Sequence, residues 1–164
     1  MTGDSTQNRG AQPDIRLPSA ISPEEVGESS RDAALPWNRI RPAPFKREGS
    51  LAPLIADLQS QHEQRIAGDP DFQHRLEEIA SIDEMRKEKA VSLNLEQRRV
   101  ERETLTKDQL DRENERRAAL GVATLDDAED IKDVPDAILS EALQITADLA
   151  QIEPRYVARV RPAP

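Results

Sequence analysis

The sequence has no cysteine, very few aromatic residues and no long apolar run. Without cysteine, the chain forms no disulfide bond and performs no thiol chemistry. Aromatic residues make up 2% and hydrophobic residues 36% of its 164 residues, whereas globular domains usually contain about 45–50% apolar residues. These values predict at most one domain, with a small core. Because no apolar run approaches about 18 residues, we also expect no membrane-spanning helix.

Negative charge predominates, and its distribution argues against nucleic-acid binding. The net charge is −9. Residues 126–153 carry nine acidic groups and one lysine, while residues 86–117 carry ten basic and eight acidic groups. The first region would repel a phosphate backbone, and the second offers it no basic stripe. We therefore expect no nucleic-acid partner.

Helical periodicity begins only after a proline-rich first third. Nine of the twelve prolines lie in residues 13–53 or at the last few positions of the chain. We therefore predict that the first 50 residues are extended and turn-rich, with residues 5–7 and 15–17 as extended pieces that lack a partner strand. Apolar spacing then predicts four helices, over residues 51–66, from about 70, over about 95–120, and after Pro135. The predicted fold is mainly α, an extended strand or linker remnant followed by a small, loosely cored helical domain.

Several residues predict where these helices begin and end. Gly68 stands where a left-handed C-cap is expected after the first helix. Asp69 offers an N-cap oxygen to the second helix, and Pro70 suits its first position. We expect Gly121 to stop the third helix and Pro154 to end the fourth.

A short extended piece is predicted between the second and third helices. Val91, Leu93 and Leu95 alternate with polar residues, which is typical of extended backbone. Asn94, with Gln97 three residues later, resembles a capping box. The third helix should therefore begin directly after Asn94.

The fourth helix has the most regular apolar stripe, at Ile138, Ala142, Ile145, Leu149 and Ile152. Such a stripe indicates a face that packs against another element. We expect it to pack against the second helix, at Phe72, Leu76 and Ile79.

No residue stands out as catalytic or as a ligand of a metal or cofactor. Residues 27–31 begin like a nucleophile elbow, but Arg31 occupies the place of the second glycine. Residues 62–66 (HEQRI) start like the helix motif of zinc proteases, but Ile66 stands where the second histidine belongs. His74 lies on another predicted helix. We therefore expect both histidines to be packing or surface residues, and we predict no catalytic, cofactor-binding or metal-binding residue and no cofactor.

The acidic run between residues 126 and 136 invites a calcium-loop interpretation. An EF-hand that began at Asp126 or Asp127 would need glutamate where Ala137 or Ile138 stands. A solvated loop before a helix explains the carboxylates better, because negative charge is favoured at a helix N-terminus.

Four residues are candidates for contacts rather than for chemistry. Trp37 is the only tryptophan, and it lies in the predicted linker beside Leu35 and Pro36. We interpret these three, together with Phe72 at a helix start, as anchors against a neighbouring surface. The alternative is that both aromatic residues close this small helical unit.

Five segments resemble the C-terminal region of the tail-specific, or carboxy-terminal processing, serine proteases. Residues 3–15 (GDSTQNRGAQPDI) resemble the end of that catalytic core. Gly27-Glu28 and residues 32–38 (DAALPWN) resemble elements that follow it. Residues 67–73 (AGDPDFQ) and 91–94 (VSLN) are similar to the start of the helical domain and to a signature inside it.

The resemblance implies a domain organisation. Residues 1–17 would be a remnant of the strands of the protease core, residues 18–50 a proline-rich linker, residues 51–153 the C-terminal helical domain and residues 154–164 a tail. In this family the serine nucleophile, its lysine base and the PDZ domain lie upstream of these segments. We therefore expect the chain alone to be inactive.

The resemblance also implies a function and partners. The chain would serve as an accessory domain of a periplasmic endopeptidase that recognises proteins by their apolar C-termini, although its own N-terminus lacks the features of a secretory signal. Its partners would be the protease core and PDZ domain, protein substrates and a helical-repeat lipoprotein adaptor. Two alternatives stay open: a free-standing helical interaction protein without enzymatic activity, and one product of a split gene.

Overall fold

The computed structural model describes residues 3–44, 50–132 and 134–160, and for residues 153–160 only the backbone. It contains five α-helices in these ranges: α1 (Pro23–Val26), α2 (Ala52–Ile66), α3 (Pro70–Lys87), α4 (Leu95–Ala119) and α5 (Ala137–Val160). Two 3-10 turns accompany them, at Glu28–Ser30 and Ala128–Asp130. The prediction of a mainly helical chain with four long helices is confirmed. Within the described ranges, no helix combines the length and the apolar composition that crossing a bilayer requires.

The chain divides into two compact units, one of residues 1–60 with 149–164, the other of residues 61–148. The buried apolar side chains are few. Among the residues whose side chains the structure describes, they are Leu54 and Leu58 in the first unit, and Phe72, Ile79 and Ala137 in the second. The loosely cored helical fold that the low apolar content predicts is what the structure has. Our division of the chain at residues 17, 50 and 153 stays a prediction.

The ends of α3 and α4 are set by the predicted caps. The side chain of Asp69 accepts hydrogen bonds from the backbone N–H of Asp71 and Phe72, at 2.9 and 3.3 Å. Asn94 does the same for Glu96 and Gln97, at 3.0 and 3.1 Å. Each cap satisfies two of the N–H groups that a helix start leaves without a partner.

Glycine ends α4 as predicted, but not α2. Gly121 has a φ of +69°, and the next amide, that of Val122, donates to the carbonyl of Arg117 at 2.8 Å, as in a Schellman cap. Gly68 does not adopt the left-handed conformation that we expected. Its N–H instead donates to the carbonyl of Arg65 at 3.1 Å, so α2 ends in a tightened right-handed turn.

The prediction that Pro154 ends the last helix is wrong, because α5 continues to Val160. Proline inside a helix removes one backbone hydrogen bond and crowds the preceding turn, at a cost of about 3 kcal/mol, but it does not forbid helical dihedrals on either side. At the other end of α5, the side chain of Asp136 accepts a hydrogen bond from the N–H of Leu139 at 3.0 Å.

In the first unit, residues 3–5 pair with residues 38–40. We had expected the extended piece at residues 5–7 to lack a partner strand. Ser5 N–H donates to the carbonyl of Asn38 at 3.1 Å, and Ile40 N–H donates to that of Gly3 at 2.9 Å. Together these bonds form an isolated antiparallel bridge between Asp4 and Arg39. Gly3 has a φ of +82°, and a Cβ there would lie 2.3 Å from the carbonyl oxygen of Ile40, so only glycine fits.

Candidate functional site

Both histidines lie buried against carboxylates of other helices. His62 of α2 is 3% exposed, and its Nδ1 lies 2.9 Å from Oε1 of Glu141 on α5. Arg65, one turn along α2, donates to the same carboxylate at 2.7 Å and to Asp148. Because Glu141 accepts bonds from two residues of α2, these four side chains form one polar network, the His62 cluster.

The His62 cluster keeps Glu141 ionised. Burial by itself would raise the pKa of this carboxyl, but the hydrogen bonds from Arg65 and His62 outweigh it and lower the pKa. The bond to Glu141 in turn raises the pKa of Arg65. The ring of His62 also meets that of Phe72 edge to face, with centroids 5.9 Å apart, so the cluster borders the apolar core.

The second polar network, the His74 cluster, joins α3 to α4. Nε and Nη2 of Arg116 donate to the two oxygens of Glu113 at 2.8 Å each, and Arg116 also donates to Asp71. Nε2 of His74 lies 3.6 Å from Glu78 and 3.9 Å from Glu113. The hydrogen bond from Arg116 lowers the pKa of Glu113 despite its burial. Glu113 is 2% exposed and Arg116 8% exposed, so the two charges form their ion pair inside the protein rather than in solvent.

A cavity of about 170 Å³ adjoins the His74 cluster between α3 and α4. Arg112 and Arg116 line it from α4, and His74 lines it from α3. Nδ1 of His74 and Nε of Arg112 are buried and have no hydrogen-bond partner within the described part of the chain.

Of the four predicted contact residues, two are exposed, one is half-buried and one is completely buried. Leu35 is 61% exposed and Pro36 is exposed, whereas Trp37 is half-buried, with the guanidinium carbon of Arg9 4.4 Å from its ring centroid. Phe72 is completely buried beside His62. The burial of Phe72 agrees with packing inside the helical unit, the alternative that we kept open. A role as contact anchors stays a prediction for all four residues.

The segments weighed for catalysis and metal binding have ordinary surroundings. Ser29 lies in an exposed 3-10 turn, and the hydroxyl of Ser30 donates to the carbonyl of Gly27 at 2.8 Å. In the acidic loop, the side chain of Asp127 caps the turn that follows it. Among residues 3–44, 50–132 and 134–152, no three His, Asp or Glu side chains are arranged to hold a metal ion.

Sequence analysis missed the partners of the histidines. Glu113 and Arg116, three residues apart on a highly charged helix, look like one more surface pair. A signal did exist for Glu141, because this charged residue adjoins Ala142 inside the apolar stripe of α5. On that stripe the apolar side chains are only half-buried, while Glu141 is 4% exposed.

The extended piece before α4 carries the most exposed large hydrophobic side chain among the described residues. Leu93 is 98% exposed, and Val91 and Leu95 are 64% and 63% exposed. The backbone of residues 89–93 forms no hydrogen bond within the described part of the chain. This segment, the 89–95 segment, therefore offers both apolar side chains and free backbone groups.

Two comparisons with known proteins indicate the family to which this chain belongs. Residues 21–151 match the family model described as the C-terminal domain of tail specific protease. The chain is also 34% identical over 154 residues to the tail-specific protease of Haemophilus influenzae, an alignment that covers 90% of this chain and 22% of that protein. The chain thus spans about a fifth of the length of this curated relative. Because the family model matches most of the chain, the chain belongs to the tail-specific protease family, as its C-terminal domain.

Proposed function

We propose that this chain acts as the accessory helical domain of a serine-type tail-specific endopeptidase. The match of residues 21–151 to the C-terminal domain of such proteases is the observation that carries the proposal. According to this proposal, a serine nucleophile and a lysine base elsewhere in the protease perform the cleavage. The present domain supplies scaffold and contact surfaces.

Two exposed surfaces suit such contacts. The 89–95 segment presents three apolar side chains and unpaired backbone groups, which a neighbouring strand or apolar face could cover. Leu35, Pro36 and Trp37 form a second apolar surface in the first unit. Both fit a domain that is packed against the protease core and PDZ domain rather than one that works alone.

The proposal extends to substrates and location. The substrates are proteins recognised by apolar C-termini, and the enzyme works in the periplasm. A helical-repeat lipoprotein is the adaptor that would bring substrates to it. These three points rest on the family resemblance of residues 3–15, 32–38 and 67–73.

A domain replacement tests the proposal. The C-terminal domain of the Haemophilus influenzae protease is removed or replaced by this chain, and degradation of a protein with an apolar C-terminus is measured. We expect removal to abolish degradation and the replacement to restore it. Restoration that Leu93→Asp reduces, but Leu139→Asp does not, would assign the contact to the 89–95 segment. A protease that degrades its substrate equally well without the domain would refute the proposal.

A free-standing helical interaction protein is the second candidate, because residues 61–148 have their own buried polar networks and core. The isolated chain should leave a peptide with an apolar C-terminus intact under either proposal. The two differ in association. Binding to the protease deprived of its own C-terminal domain supports the accessory role, and failure to bind or to restore activity supports the free-standing protein.

A further inference from the structure

We propose that the 89–95 segment joins the protease core as an added β-strand, through the backbone groups of Lys89, Val91 and Leu93. The inference rests on the proposed accessory role and deepens it, because it specifies how the domain is held. Glu88 and Asn94, at the two ends of the free stretch, both have extended backbone. The backbone of residues 89–93 forms no hydrogen bond within the described part of the chain. Unpaired N–H and C=O groups along extended backbone are a template on which another strand pairs.

One edge of the segment is more complete than the other. In extended backbone, the N–H and C=O of one residue point to one edge, and those of the next residue point to the opposite edge. Asn94 is already engaged, because its N–H donates to Oγ of Ser92 at 3.1 Å and its carbonyl accepts a backbone hydrogen bond of α4. The opposite edge, that of Lys89, Val91 and Leu93, has no bonded group in the described structure. The partner strand should therefore lie along the edge of these three residues.

The apolar side chains of the segment favour a permanent partner. Leu93 is 98% exposed and Val91 64% exposed. Because alternate residues of extended backbone project from one face, a neighbouring strand would place its own side chains beside both. An extended apolar segment that stays uncovered is an aggregation hazard, so a strand of the protease suits it better than a substrate that leaves after cleavage. About four fifths of the Haemophilus influenzae relative lies outside the matched region and can supply that strand.

The charges beside the segment favour an uncharged partner strand. Residues 83–103 carry six acidic and six basic groups, although the whole chain has a net charge of −9. Four ion pairs form along the adjoining ends of α3 and α4, namely Arg86 with Asp83, Lys87 with Glu84, Arg98 with Glu101 and Arg99 with Glu96. A charged partner would therefore find little net attraction here, and the centres of stable interfaces are depleted in charge. The partner that fits is an apolar edge strand.

The test measures amide hydrogen exchange of the full chain by NMR, alone and in the presence of the Haemophilus influenzae protease that lacks its own C-terminal domain. On binding, we expect slower exchange at Lys89, Val91 and Leu93 and unchanged exchange at Ala90 and Ser92. This alternation distinguishes strand pairing from side-chain packing, because packing alone would protect neighbouring amides alike.

Two proline variants test the same edge through the affinity. Val91→Pro removes an N–H of the pairing edge and keeps an apolar side chain, whereas Ser92→Pro removes an N–H of the opposite edge. Because the first change leaves a carbonyl of the partner strand without its donor, it should weaken binding at least ~10-fold. Ser92→Pro should weaken binding less than ~3-fold. Circular dichroism of both variants checks that the helices are intact.

Four results would overturn the proposal. Binding with uniform protection of residues 89–93, or with equal effects of the two prolines, refutes strand pairing and leaves the accessory role standing. Protection in the unbound chain that grows with its concentration means that a second copy is the partner. Protection that appears when a peptide with an apolar C-terminus is added to the chain alone means that substrate occupies the segment. The absence of any binding to the protease refutes the accessory role, and strand pairing with it.

Discussion

Arg116 donates two hydrogen bonds of 2.8 Å to the two oxygens of Glu113, one turn earlier on α4, and both side chains are buried. The same guanidinium reaches Asp71 in the first turn of α3. A pair of residues that reads in the sequence as an ordinary surface ion pair is thus a buried link between two helices. Its energetic weight depends on that burial, because removing one partner would leave an uncompensated charge inside the protein.

Replacing Arg116 by methionine should therefore destabilise the domain strongly. Of its contacts with arginine, Glu113 would keep only the longer one with Arg117, at 3.6 Å, and breaking a buried ion pair costs about 3–5 kcal/mol. The measurement is the free energy of unfolding from urea denaturation. The control is Arg99→Met, which breaks an exposed pair with Glu96 and should cost less than about 1 kcal/mol. Equal effects of the two changes would show that the buried pair contributes no more than a surface pair.

Stability should fall in acid. The pKa values of Glu113 and Glu141 are lowered in the folded protein, so both bind protons more readily when unfolded. Their contribution is complete above the ordinary glutamate pKa of about 4.3 and is lost as the pH falls below it, through the lowered folded values. Urea denaturation at a series of pH values measures this loss. Glu113→Gln should flatten the dependence in that range, and Glu96→Gln, at an exposed position, should not.

Phe72→Ala should be among the most destabilising apolar substitutions. The ring is fully buried, and truncating such a side chain costs about 3–5 kcal/mol through lost burial and the cavity that remains. Thermal and urea unfolding measure the loss. Leu93→Ala is the matched control, since this side chain is 98% exposed and its truncation should change stability by less than about 0.5 kcal/mol. A small effect of Phe72→Ala would mean that the ring does not belong to the core.

Trp37 reports on the first unit, because it is the only tryptophan in the chain. The guanidinium of Arg9 lies over its ring at 4.4 Å, a contact worth about 0.5–1 kcal/mol at exposed sites. Arg9→Gln should increase quenching of the Trp37 fluorescence by acrylamide, because the uncovered ring is more accessible. Arg31→Gln, at another exposed arginine, should leave quenching unchanged. Equal quenching in all three proteins would contradict the contact in solution.

The sequence by itself determined the four long helices and most of their ends, but not the short helix α1, which lies in the segment predicted to be extended. Asp69, Asn94 and Gly121 each set a helix end through hydrogen bonds or dihedral angles within a few residues of their own position. Local sequence therefore specifies these helix ends. The end of α5 was predicted wrongly because the prediction considered only the local cost of Pro154. Whether the helix continues past this residue depends on the free energy summed over all residues of the helix.

Only the tertiary structure decided which side chains are buried and which charges meet. His62 and Glu141 are 79 positions apart, and Arg116 and Asp71 are 45 apart, so no local pattern relates them. The path of residues 3–5 beside 38–40 is likewise a long-range pairing. Periodicity identifies an apolar face, but it does not identify its partner, because many helix pairings bury similar apolar area. In a chain with so few apolar residues, the buried ion pairs distinguish one pairing from another, and their geometry exists only in the folded state.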